Sequence, residues 1–78
     1  MQKLILYSGR HCHLCEQAFS LLQDVSPAHI ASTAKVDVAS SPQLYHLYGA
    51  RIPVFKRVDT DAELAWPFDE VQLTEFIS

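Results

Sequence analysis

Cys12 and Cys15 are the two cysteines of this 78-residue chain, and only His13-Leu14 separates them. A thiolate is a nucleophile toward disulfides and also a ligand for soft metal ions, so two chemistries are open. In thiol–disulfide exchange, one thiolate attacks a substrate disulfide and the second breaks the mixed disulfide that forms. In metal binding, His11-Cys12-His13-Leu14-Cys15 offers four potential ligands within five residues. Zinc usually draws on two separated pairs of ligands. Here there is no second cysteine pair, and His29 and His46 stand far apart. Copper(I) needs only two thiolates. A copper- or zinc-binding module, or a non-catalytic module that binds a protein, therefore stays open beside the redox reading.

The elements that must position the pair follow from the apolar pattern. Lys3 to Tyr7 is short, apolar and rich in strand formers, and Ser8-Gly9 ends it. From Leu14 to Val25, the residues Leu14, Ala18, Leu21, Leu22 and Val25 recur at helical spacing, and Pro27 closes that region. Cys12 thus falls where the helix opens. The partial positive charge and free N–H groups of a helix start favour its thiolate. Three-residue spacing puts Cys15 on the same side, one turn deeper. It shares a helical row with Phe19 and Leu22, so it is expected to be buried. Cys12 is then the exposed nucleophile and Cys15 the sheltered resolving thiol.

The rest of the chain reads as follows. Ala34 to Val38 is a second strand. Ser41-Pro42 is a helix start, with serine as N-cap and proline at the first helical position. Leu44, Leu47 and Tyr48 give that helix an apolar side, Tyr45 joins its packing, and Gly49 stops it. Ile52 to Val58 and Glu63 to Trp66 make a hairpin about Asp59-Thr60-Asp61. Asp69, with Gln72 three residues on, starts a last helix through a capping box. The order β-α-β-α-β-β-α predicts an α/β domain, a four-stranded mixed sheet flanked by helices, with the first β-α-β parallel.

Bulk properties narrow the function. The length allows one domain, residues 1–78. Apolar residues make up 49% of the chain, so it is globular. The net charge is −3 and the six Lys and Arg are scattered, against a nucleic-acid partner. The apolar run after Lys3 is shorter than a secretory core, and no stretch is long enough to span a bilayer. These features lead to the expectation of a cytoplasmic monomer. There thiols stay reduced and a close cysteine pair serves chemistry rather than stapling.

Three stretches carry a resemblance: Leu6-Tyr7-Ser8-Gly9-Arg10-His11-Cys12-His13-Leu14-Cys15-Glu16, Tyr48-Gly49-Ala50-Arg51-Ile52-Pro53-Val54-Phe55 and Trp66-Pro67-Phe68-Asp69. Together they resemble the glutaredoxin-like proteins of the thioredoxin superfamily, over nearly the whole chain. The resemblance implies a thioredoxin-like fold, dithiol–disulfide exchange through Cys12 and Cys15, and no cofactor. It implies a cis Ile52-Pro53 bond facing the cysteines, with the Ile52 backbone pairing with substrate as an added strand does. The implied substrate-binding residues are Arg10, His13, Arg51, Ile52, Pro53 and Asp69. The implied partners are a protein or low-molecular-weight disulfide, with glutathione or a thioredoxin-type reductase as electron donor. Two departures bear on glutathione. His13-Leu14 stands where glutaredoxins carry proline and an aromatic residue, and bulky Trp66 and Phe68 replace the glycines against which glutathione lies. Asp69 alone matches the aspartate that helps hold the glutamyl end. Poor handling of glutathione is the expectation.

Overall fold

The computed structural model describes residues 3–78. Its elements are β1 (Leu4–Ser8), α1 (His13–Val25), α2 (Pro27–Ile30), β2 (Thr33–Asp37), a 3-10 turn (Val38–Ser40), α3 (Pro42–Tyr48), β3 (Val54–Arg57), β4 (Glu63–Ala65) and α4 (Glu70–Ile77). The sheet order is β2-β1-β3-β4, with β1 parallel to β2 and antiparallel to β3, and β3 antiparallel to β4.

The pleat sends alternate residues of each strand to opposite faces, and a separate core forms on each. Leu4 and Leu6 of β1 and Phe55 of β3 meet Ala18 and Leu22 of α1 and Phe68 and Leu73 at the start of α4. On the other face, Tyr7 and Val54 meet Val38 and Tyr48, with Leu44, Ile52 and Ala65 packed around them. The helices α1 and α4 thus cover one face and α3 the other. Burying one large apolar side chain contributes about 1.5–3 kcal/mol, and Leu6, Leu22, Phe55 and Leu73 are fully buried.

Local chemistry sets the boundaries. Ser41 accepts a hydrogen bond from the Leu44 N–H, with Pro42 at the first helical position. Asp69 and Gln72 close the expected capping box in both directions. Pro27 does not simply end the helical region but opens the one-turn helix α2. Proline is as compatible with a first helical position as with a break. Val38 leaves the second strand, because the Asp37 carboxylate captures the Ala39 N–H at 2.9 Å and turns the chain. Two expectations for α3 fail: Tyr45 is 63% and Leu47 57% exposed. Only Leu44 and Tyr48 of this short helix reach the sheet. The third strand begins at Val54 rather than Ile52, since the Ile52 N–H turns back to the Tyr48 carbonyl at 3.0 Å and Pro53 has no N–H.

Candidate functional site

Cys12 is the N-cap of α1, in an extended conformation (φ −92°, ψ 96°). Its Sγ accepts a hydrogen bond from the Cys15 N–H at 3.1 Å, and its carbonyl accepts one from the Glu16 N–H. The sulfur therefore sits at the positive end of the helix, against one of its free amides. The two cysteines are joined as a disulfide, with Cα atoms 5.2 Å apart. Cys12 is half-buried and Cys15 is 5% exposed. The accessible and sheltered members of the pair are those the helical pattern implies.

The residue before the pair is strained. His11 has φ 54°, in the left-handed region, which costs a non-glycine residue on the order of 1 kcal/mol. It lines a cleft of about 160 Å³ with Leu6, Ser8, Gly9, Cys12, Cys15, Glu16 and Lys35. Lys35 faces Leu6 across the β1–β2 register and lies over the Phe19 ring at 4.0 Å. Sequence reasoning gave Lys35 and Glu16 no role. Their one signal was a lone cation in an apolar strand and an acid directly after the second cysteine.

The Ile52-Pro53 bond is cis, and Pro53 is fully buried. The loop lies against the β1–α1 turn: a Cβ placed on Gly9 would stand 2.9 Å from Ile52 Cδ1. Gly9 eases this close approach, since a larger residue would have to displace the end of the Ile52 side chain. The Pro53 carbonyl accepts the Trp66 N–H at 3.0 Å, and the Ile52 N–H is taken by Tyr48. The Ile52 carbonyl has no hydrogen-bond partner among the described residues. Any strand-like pairing with a substrate at Ile52 thus has an acceptor to offer and a donor already engaged.

The remaining sequence-predicted residues fall in separate places. His13 opens α1, exposed, with its ring 3.0 Å from the Gln17 amide. Arg10 is exposed and pairs with Asp37 at 3.7 Å, bridging the β1–α1 turn and the end of β2. The Arg51 guanidinium stays at the surface, where it donates to the Leu47 carbonyl at 3.2 and 3.3 Å and faces Glu63 at 3.8 Å. Asp69 spends its carboxylate on the Gln72 N–H at 2.8 Å, and its own N–H on the Gln72 side chain at 3.0 Å. Neither Arg51 nor Asp69 hydrogen-bonds or ion-pairs with the cysteine pair. Phe68 is buried against Phe55, with Trp66 edge-on to it at 5.1 Å, so both serve as anchors beneath α4. The Trp66-Pro67 bond is also cis, which the sequence did not indicate. Beside Arg51, Glu63 accepts the Tyr48 hydroxyl at 2.5 Å and holds that phenol above the ordinary tyrosine range.

Among the described residues, no group of three or more His, Cys, Asp or Glu side chains is placed to hold a metal ion. No helix among them is long and apolar enough to cross a membrane.

A mixed four-stranded sheet, with a bonded Cys-X-X-Cys at the start of the first helix and a cis proline loop beside it, defines a protein of the thioredoxin-like fold. The chain belongs to the family described as glutaredoxin-like domain (DUF836), whose model matches residues 3–78. Solved structures agree. The X-ray structure of the structural-genomics target protein XcR50 from X. campestris is 32% identical, with a TM-score of 0.84 over 95% of this chain and 93% of that one. Protein Ne2328 from Nitrosomonas europaea, solved by NMR, is 27% identical, with a TM-score of 0.80 over 99% of this chain and 92% of that one. No curated protein matches the chain.

Proposed function

We propose that this chain is a thiol–disulfide oxidoreductase acting on protein or low-molecular-weight disulfides in the cytoplasm, as a monomer and without a cofactor. The observation that carries the reading is the bonded pair at the start of α1, with Cys12 accessible and Cys15 buried. In the reduced protein, the Cys12 thiolate attacks a substrate disulfide. One substrate sulfur leaves as a thiolate and takes up a proton, and Cys12 holds the other in a mixed disulfide. Cys15 then loses its proton and attacks Cys12 Sγ. The Cys12–Cys15 bond forms, the second substrate sulfur leaves, and two electrons have passed to the substrate. A thiol donor, glutathione or a thioredoxin-type reductase, restores the dithiol.

In this reading substrate meets Cys12 beside His13 and the Ile52-Pro53 loop, where the Ile52 carbonyl is free to accept. Glutathione fits this surface poorly: Trp66 and Phe68 replace small residues, the Leu47 carbonyl and Glu63 engage the Arg51 guanidinium, and the capping box engages amides at the start of α4. The test is reduction of a model protein disulfide by the wild type and two variants. Cys15→Ser is expected to accumulate mixed disulfides, visible by mass, because capture needs only the first thiol. Cys12→Ser is expected to accumulate none and to turn over nothing. Equal trapping by both variants, or no reduction by the wild type, would overturn the proposal.

A further inference from the structure

The Ile52-Pro53 loop carries little regular structure of its own, yet substrate docking needs it held against the cysteine turn. A cluster on the α3 face of the sheet converges on it. Tyr48, the last residue of α3, stacks on Tyr7 of β1 with ring centroids 4.1 Å apart. Its hydroxyl donates to Glu63 at 2.5 Å, at the start of β4, fifteen residues along the chain. Its carbonyl accepts both the Arg51 N–H at 2.8 Å and the Ile52 N–H at 3.0 Å. The Arg51 guanidinium lies over the Tyr48 ring at 5.3 Å, bonds the Leu47 carbonyl and faces Glu63 at 3.8 Å. Four segments of chain thus meet at one tyrosine, and the cis proline loop hangs from its carbonyl.

We infer that Tyr48, Glu63 and Arg51 form a clamp that sets the position of the Ile52-Pro53 loop, so that these three are positioning residues for substrate docking. The inference rests on the proposed exchange activity for its kinetic consequence but not for its structural one. Tyr48 is 5% exposed and Glu63 faces solvent, so the bond between them is half-sheltered and ties the buried ring to the start of β4. Arg51 holds its planar fork between a carbonyl and a carboxylate, an arrangement lysine does not reproduce. The clamp lies on the face opposite α1. Loosening it therefore moves the loop first and reaches the Cys12 turn only through the Ile52–Gly9 contact.

The test uses the full chain with Glu63→Gln, Tyr48→Phe and Arg51→Met, and it has two readouts. Amide exchange at Ile52 is expected to speed up about tenfold in Glu63→Gln and Tyr48→Phe, the effect of losing one charge-assisted hydrogen bond. Amides of Leu6 and Leu22 are expected to keep their protection. On a peptide disulfide, KM is expected to rise about fivefold or more with kcat within about twofold, since uniform binding is lost and chemistry is not. The Cys12–Cys15 equilibrium with glutathione stays unchanged. Combining Glu63→Gln with Arg51→Met adds less than the sum of the two, because the partners share one interaction. Unchanged Ile52 exchange in both single variants overturns the clamp. So does a uniform loss of protection that includes Leu6 and Leu22, which marks general destabilisation. A wild type that turns over no disulfide sinks the exchange activity alone, and Ile52 exchange still decides the clamp.

Discussion

Asp69→Ala separates two roles that one residue has been given. The resemblance to glutaredoxins makes Asp69 a ligand for the glutamyl end of glutathione, whereas its bonds make it the N-cap of α4. Alanine removes the acceptor that holds the Gln72 N–H at 2.8 Å. Losing such a cap costs about 1 kcal/mol, within a range of roughly 0.5–2. For a domain of this size that lowers Tm by about 4–8 °C. The same change frees the Gln72 amide at the helix start and deletes a negative charge next to Glu70. An incoming carboxylate gains at most one charged hydrogen bond there, about 1.5–3 kcal/mol, and solvent exposure keeps the gain near the lower, roughly tenfold, end. Stability and glutathione use are therefore expected to move in opposite directions. The assays are a thermal melt and the deglutathionylation of a small mixed disulfide under saturating reductase, with reduction of a protein disulfide as the control. A fall in deglutathionylation with the control unchanged would show that Asp69 binds the ligand directly, and the capping argument would be wrong.

Other outcomes follow from the same geometry. In the reduced protein, iodoacetamide is expected to label Cys12 ahead of Cys15 by about tenfold or more, the factor one hydrogen bond to a thiolate supplies. Peptide mapping after brief labelling reads the ratio, and Cys15 reacting first reverses the assignment of roles. Leu22→Ala empties a fully buried site between α1 and the sheet and is expected to cost about 2–5 kcal/mol in urea unfolding. Labelling of Cys12 in that variant stays within about twofold at 25 °C, because the core lies beneath the site and not in it; a loss under about 1 kcal/mol contradicts the packing.

Features governed by neighbours in sequence were legible before the structure. The N-cap role of Asp69, the Ser41-Pro42 helix start and the depth of Cys15 each depend on residues three or four positions apart. The strand β1 was readable too, as a short apolar run that Ser8-Gly9 ends. Misreadings came where one residue type serves two local purposes. Pro27 opens a turn of helix as readily as it ends one. The carboxylate of Asp37 turns the chain where strand propensity would carry it on. Tyr45 and Leu47 were assigned to a packed face because seven residues of α3 are too few for periodicity to separate inside from outside. The site divides the same way. The cysteine pair and Pro53 are marked by residue type and spacing. The meeting of Tyr48, Arg51 and Glu63 depends on strand register and helix orientation, and no local pattern encodes it. Arg51 was read as a substrate ligand from its neighbours in sequence, Ile52 and Pro53, while its partners in space are Leu47, Tyr48 and Glu63.

The hydrogen bond from the Cys15 amide to Cys12 Sγ makes one backbone proton a witness to the chemistry. In the oxidised protein that proton meets a neutral sulfur. In the reduced protein it meets a thiolate, and a charged acceptor draws it more strongly. Its NMR resonance and its exchange rate therefore change with each electron pair gained or lost. A nitrogen-15-labelled sample would report the fraction reduced inside a working mixture, with both thiols left unmodified.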